Sequence, residues 1–244
     1  RFFWTKTRNR QEYIAEEIVS KIIMQTPAFL QPILDYPGTI AQFIERVPDI
    51  PVSTDRMETI LNLQPTHRAE IERLGIPWKH LRRAQQIHGN KVALVGDIGS
   101  NYPVEGFDGL VCSGVADCIL GIYVADCAAV WLYDTVSKAR ALLHSGKNGT
   151  KLNIVANALT AMQKFCHSKP SQVVAIISPC IRPPHYEIDI PATIRQQLIE
   201  AGVPAEKIYD SNLDTASDLT RFYSYRMEKG KTGRMFALFG RELN

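Results

Sequence analysis

Apolar residues recur at helical spacing over Arg10–Met24, where Ile14, Ile18, Ile22 and Ile23 stand between glutamates and lysines. That pattern predicts an amphipathic helix packing on something larger. Pro27, Pro32 and Pro37-Gly38 then break the chain into loops. From Gly38 to Leu63 the pattern is extended or irregular, with Pro48 and Pro51 arguing against a long helix; Arg68–Leu74, closed by Gly75, predicts a short one. The centre changes period. Lys91–Val95, Gly109–Cys112, Ile119–Val124, Ala129–Tyr133 and Ala139–His144 are short aliphatic and β-branched runs split by Gly, Asp or Ser, which predict successive strands of a mixed or antiparallel sheet. Helical spacing returns over Lys151–His167 (Leu152, Val155, Leu159, Met162, Phe165), then a strand over Val173–Ser178, a helix over Pro191–Ala201 ended by Gly202, and a last strand over Arg234–Phe239. Strands in the middle with helices towards the ends predict an α+β fold in a single compact domain.

Composition adds mainly exclusions. With 28 Lys and Arg against 25 Asp and Glu, the net charge is only +3, and no block of like charges predicts a nucleic-acid partner. No apolar run reaches the roughly 18–20 residues that span a bilayer, so no membrane partner is expected; the longest, around Ile119–Tyr133, is interrupted by Asp126. The five cysteines form no CxxC pair and no even-numbered framework, which points to a reducing, cytoplasmic setting. The chain begins at Arg1 rather than Met, which leaves the native N-terminus open.

Three segments concentrate reactive side chains: Gln86-Ile87-His88-Gly89, Val124-Ala125-Asp126-Cys127 and His144-Ser145-Gly146-Lys147-Asn148-Gly149. Two imidazoles and a thiolate suit Zn²⁺, and three protein ligands leave a fourth position open, as in catalytic zinc sites. Copper is the alternative occupant. Asp126, beside the thiol, is a candidate for orienting a ligand or accepting a proton. Glycine after His88 and near His144 is expected to let the backbone turn sharply and a ligand approach. The same residues also permit a cysteine hydrolase with Cys127 as nucleophile and His144 as base. Cys118, in a second Ala-Asp-Cys triplet, is followed by apolar residues and is expected to pack in the core. His67, His80, His167 and His185 carry no motif, and His185, beside Tyr186, is the nearest spare ligand.

Taken in order, Gln86–Gly89, Asp108-Gly109, Ala125-Asp126-Cys127 and His144-Ser145-Gly146 resemble the signature of the laccase-domain family, also called YfiH or polyphenol-oxidase-like. Leu61-Asn62-Leu63, Tyr186-Glu187, Ser224-Tyr225-Arg226 and Gly233-Arg234 extend the match to roughly residues 38–240. The resemblance implies a catalytic domain over residues 38–244 preceded by a helix and loop over 1–37, with a mixed β-sandwich layered with helices. It implies zinc on His88, Cys127 and His144, and zinc-dependent phosphorolysis of purine nucleosides with adenosine deamination as a companion activity. Small-molecule nucleoside and phosphate are then the partners. Arg226 and Arg234 are candidates to bind phosphate bidentately, with Lys147 beside them, and Arg46 and Arg56 are the two candidates for an upstream family arginine. Tyr186 and Glu187 either shape the pocket or are structural. The chain departs from the family after the second histidine, where Gly146-Lys147-Asn148-Gly149 stands in place of Gly-Trp-Arg/Lys-Gly, and at Ser178-Pro179 and Asp210-Ser211. Lys147 and Asn148 in place of the usual loop residues motivate a third reading, a non-catalytic metal- or nucleoside-binding homologue. A multicopper oxidase is set aside, because its copper cluster needs many imidazoles, commonly in His-x-His pairs, and six histidines here form none.

Overall fold

The computed structural model describes residues 26–96 and 103–243. The amphipathic helix expected over Arg10–Met24 lies outside them. The described elements are α1 (Gln31–Leu34), β1 (Thr39–Ile44), α2 (Arg56–Arg73), β2 (Leu81–Arg83), β3 (Val92–Leu94), β4 (Gly109–Cys112), β5 (Ile119–Val124), β6 (Ala128–Asp134), β7 (Arg140–Ser145), α3 (Lys147–Lys151), α4 (Ile154–Cys166), β8 (Val173–Ile177), α5 (Ile190–Glu200), β9 (Ile208–Asp210) and β10 (Met235–Arg241). Two mixed sheets result, one in the order β1-β10-β5-β2 and one in the order β3-β4-β7-β6-β8-β9.

Burial explains why the central strands read so clearly. β4, β5, β6, β7 and β8 are buried at every position, so each reads as a mostly apolar run rather than an alternating one, with Asp134, Arg140, His144 and Ser145 as buried polar exceptions at the ends of β6 and β7. One face of the six-stranded sheet meets the four-stranded sheet across a core containing Trp131, Leu142, Phe236 and Phe239. The Trp131 indole N–H donates to the Leu238 carbonyl at 3.0 Å, which satisfies its polar atom inside that core. The other face carries α4 and α5 through a second core that includes Val130, Leu143, Val155, Met162, Ile194 and Leu198. The architecture is therefore α+β. Among the described residues no helix is long and apolar enough to cross a membrane.

The main correction concerns the segment after β1. Where a largely irregular stretch and a short helix over Arg68–Leu74 were expected, α2 runs for 18 residues with Pro65 inside it. Its start is set by Asp55, whose carboxylate accepts from the Met57 and Glu58 N–H groups at 2.7 and 3.2 Å. An interior proline costs about 3 kcal/mol. Burial of Ile60, Leu63 and Ile71 on one stripe offsets it, since each apolar side chain contributes about 1.5–3 kcal/mol. β1 falls in the stretch expected to be extended or irregular, and the short strands β2 and β9 stand where no strand is expected. The helix expected over Lys151–His167 is α4, which starts at Ile154 after Asn153, a left-handed residue (φ 56°) whose side chain caps it; α3 precedes it as a separate short helix.

His67 lies on the buried stripe of α2, fully enclosed, with its ring 5.0 Å from Phe236 and 5.6 Å from Tyr123. Neither ring nitrogen has a hydrogen-bond partner among the described residues. Burial, assisted by the Arg83 charge, lowers its pKa from 6.5 to about 3. The folded state therefore holds His67 neutral. Above the unfolded pKa this linkage costs nothing. As pH falls from 6.5 towards 3, the unfolded chain takes up a proton that the folded chain refuses, and stability falls by about 1.4 kcal/mol per pH unit. His67→Phe is expected to flatten the fall of Tm between pH 6.5 and about 4. Parallel Tm profiles for variant and wild type would place the acid sensitivity elsewhere.

Candidate metal centre

Three loops, each leaving a strand, meet at one end of the two sheets. After β2, Gln86 docks on the edge of β5: its side-chain oxygen accepts from the Tyr123 N–H at 2.9 Å, and its amide nitrogen donates to the Tyr123 carbonyl. The chain then folds around Asp108. The Asp108 carboxylate accepts from the backbone N–H of Ile87 (3.2 Å), His88 (2.8 Å) and Gly89 (2.8 Å). The left-handed residues here are Gln86 (φ 65°) and His88 (φ 62°), and Gly89 is not one of them, contrary to the turn role expected for it. Cys127 follows Asp126 (φ 76°) in the turn between β5 and β6. His144 sits near the end of β7, opposite Ala129 of β6.

Donor atoms of His88, Cys127 and His144 all lie within 4.8 Å of one another. The two imidazoles stand edge to face, with ring centres 4.9 Å apart. His144 is buried, Cys127 half-buried and His88 exposed, so the group is walled on one side and open on the other. His144 Nδ1 lies 2.9 Å from Asp108 Oδ1. A carboxylate there accepts a hydrogen bond from Nδ1–H, which holds the proton on that nitrogen and leaves the Nε2 lone pair for a metal. Burial works against the charged forms, yet the charges and hydrogen bonds within the group prevail. The Cys127 thiol is brought down to about 6, chiefly by His144, and His144 is raised to about 9 by Cys127 and Asp108. Asp108, despite burial, is held below the ordinary carboxylate range by His144 and the Gly89 and His88 N–H groups. Gly146 completes the cradle: a Cβ there would stand 2.5 Å from Cys127 Sγ. A thiol with a lowered pKa, an imidazole oriented by Asp108, a second imidazole and an open face together fit one Zn²⁺-like ion.

The group forms part of the wall of a cleft of about 600 Å³. Arg56, Arg226, Arg234, Lys147 and Asp126 line it too, as do Tyr186 and Tyr225. Arg46 does not. It pairs with Glu228 at 2.8 Å, donates to the Phe222 carbonyl and covers the Tyr223 ring. Of the two upstream arginines, Arg56 is the one that reaches the cleft, from the first turn of α2. Both Asp126 oxygens are engaged. Oδ1 accepts from the Thr215 hydroxyl at 2.8 Å and Oδ2 from the Arg226 N–H at 2.7 Å, while the Asp126 carbonyl accepts from the Ile181 N–H at 2.9 Å. Burial raises its pKa. These contacts make Asp126 a clasp between three loops, and the carboxylate that orients a histidine is Asp108, for which the sequence suggested no role. Cys118 is buried in the core, as expected. His185 pairs with Asp214 at 2.6 Å and is not among the cleft's lining residues.

The chain is similar to known proteins over most of its length. A family model described as multi-copper polyphenol oxidoreductase laccase matches residues 54–191 and 184–242. Purine nucleoside phosphorylase YlmD of Geobacillus stearothermophilus is 27% identical over 227 residues, covering 78% of this chain and 81% of its own. A purine nucleoside phosphorylase of Staphylococcus saprophyticus is 30% identical over 203 residues, covering 68% and 75%. The crystal structure of YlmD from Geobacillus stearothermophilus superposes with a TM-score of 0.74 at 25% identity, over 85% of this chain and 93% of the other. Bacillus licheniformis YfiH, at 22% identity and a TM-score of 0.73 over 84% and 93%, shares the fold. With the family model matched from residue 54 to residue 242, the chain belongs to the laccase-like family of polyphenol oxidoreductases, the YfiH family.

Proposed function

We propose that this chain is a zinc-dependent purine nucleoside phosphorylase, with adenosine deamination as a companion activity. The observation that carries the reading is the joining, in one cleft, of an open-sided His88/Cys127/His144 group with two guanidiniums, Arg56 and Arg234, that form no salt bridge among the described residues and feel Asp108 and Asp126 only at a distance. Arg56 donates to the Gln85 carbonyl and the Gln86 side-chain oxygen, and Arg234 to the Thr232 and Gly233 carbonyls. Burial lowers the pKa of both, and Arg234 is further lowered by the Arg56 charge. A phosphate relieves that repulsion and accepts from both planar forks. Held there, it presents an oxygen to the ribose anomeric carbon, where a C–O bond forms as the bond to the base breaks. Bound by the three donors, zinc supplies Lewis acidity at the open side of the group.

Zinc is favoured over a copper cluster because the other four histidines are dispersed. His67 is enclosed by aromatic rings, His80 bonds the Asp117 carbonyl, His167 caps α4 and His185 pairs with Asp214. The names of the relatives support the choice of substrate. Purified protein is expected to carry about one zinc per chain, as three-donor sites with an open fourth position do, and to lose it in His88→Ala. With adenosine or inosine and phosphate it should release free base and ribose 1-phosphate. Failure to turn over any purine nucleoside when zinc-loaded would sink the proposal, and binding without turnover would point to the non-catalytic homologue.

A second reading draws on the order Asp108–His144–Cys127, which also describes a base-activated thiol, with its pKa of about 6. It predicts hydrolytic activity that survives complete chelation and selective alkylation of Cys127. Stoichiometric, tightly held zinc would rule it out.

A further inference from the structure

The cleft carries cations at two places, and they are paired differently. Arg56 and Arg234 are held by backbone and amide oxygens, as described above. Lys147 and Arg226 instead share one carboxylate: Glu187 accepts from Lys147 Nζ at 3.0 Å through one oxygen and from Arg226 at 3.1 Å through the other. All three side chains are half exposed, each at 52%. The Arg226 guanidinium also rests over the Tyr186 ring, 4.9 Å from its centre. Three separate segments are thus gathered at the exposed side of the cleft by a single bridging carboxylate, one oxygen to each cation.

A carboxylate placed this way occupies the position that a tetrahedral oxyanion would take between an ammonium and a guanidinium. Because the ion pairs stand in water, they exchange readily for a stronger partner. A phosphate monoester is such a partner, since its dianion answers both cations where Glu187 supplies one negative charge. We propose that Lys147 and Arg226 form a second anion position, which receives the 5′-phosphate of a nucleoside monophosphate, and that Glu187 is the carboxylate it displaces. The inference rests on the phosphorylase reading for what happens next. Inorganic phosphate at Arg56 and Arg234 forms the C1′–O bond, the C1′–N bond breaks with its electron pair leaving on the base, and the base takes up the proton that the attacking phosphate gives up. The products are free base and ribose 1,5-bisphosphate.

Calorimetric titration of the zinc-loaded protein with inosine and with inosine 5′-monophosphate tests this without requiring turnover. The monophosphate is expected to bind roughly tenfold more tightly than the nucleoside, as an added charge-assisted contact implies. Glu187→Gln, which keeps the shape and removes the competing charge, should tighten the monophosphate further. Lys147→Gln should erase its advantage over inosine. Equal affinities for the two ligands in wild type and in Glu187→Gln would overturn the proposal, as would weaker binding of the monophosphate to Glu187→Gln. Inorganic phosphate is the third arm. If it competes with the monophosphate in Arg56→Gln as strongly as in wild type, and inosine gains nothing from its ester, the position belongs to free phosphate and the ester assignment fails. Melting curves establish that each variant is folded. Phosphorolysis of inosine without these binding differences would leave the phosphorylase reading standing alone, and the binding differences without phosphorolysis would do the converse.

Discussion

Asp108→Asn is expected to lower zinc affinity by about 10–100-fold, the usual consequence of removing a carboxylate behind a ligating histidine. The substitution keeps the shape and changes only which atoms accept. Wild-type Asp108 receives four hydrogen bonds, three from the backbone around His88 and one from His144 Nδ1. An amide has one accepting oxygen, so its NH₂ must face either Ile87 and Gly89, in the place of Oδ2, or His88 and His144, in the place of Oδ1. Facing Ile87 and Gly89, it leaves their part-buried N–H groups unanswered, at a cost of roughly 1 kcal/mol or more. Facing His144, it forces Nδ1 to accept, moves the proton to Nε2 and removes the lone pair from the metal side. Either outcome damages the site while leaving all three donors in the sequence. Competition against a chromophoric chelator measures the affinity, and a Kd within about twofold of wild type would show that Asp108 does not orient His144.

Gly146→Ala should have the next largest effect, and it acts through volume rather than conformation. Gly146 has φ −92°, ψ −168°, which any residue adopts. Its added Cβ, however, would stand 2.5 Å from Cys127 Sγ and 3.7 Å from His88 Cδ2. Forcing a methyl into so tight a place costs about 1–3 kcal/mol. The atom that must yield is the thiolate, because the backbone of Gly146 is tied to Thr150 N–H at 2.8 Å and begins α3. The variant is expected to fold with a modestly lower Tm, to bind far less than one zinc per chain, and to show faster alkylation of Cys127. Full zinc occupancy with wild-type affinity would mean that the site tolerates a displaced sulfur and that this contact is incidental.

Much of the fold was legible because buried strands and one-sided helices leave different periods in the chain. Gly109–Cys112 and Ile119–Val124 were located to the residue, and the strands around Trp131, Leu142 and Ile176 to within a residue or two. The weakest element to read was α2, where Pro65 and sparse apolar residues obscure a helix that exists because the four-stranded sheet offers it a surface. β1, β2 and β9 owe their conformation to partners: β1 pairs with β10, whose residues come some 200 positions later in the chain (Thr39 opposite Arg241). Short strands with remote partners carry little local signal.

The candidate site divides in the same way. By itself the sequence determined the donor chemistry: two imidazoles, a thiol, and cations in reach of the same motifs. It also carried the ordered signature that linked His88, Cys127 and His144. Tertiary structure alone decided which carboxylate serves them. Asp126, next to the thiol in sequence, is turned to Thr215 and Arg226, whereas Asp108 reaches His88 across 20 residues and His144 across 36. It likewise chose Arg56 over Arg46 and brought Glu187 between Lys147 and Arg226. The physical reason is that residue type is a local property and survives in the linear chain. Orientation, tautomer and ion pairing depend on sheet register and loop closure, and these are settled only when distant segments pack.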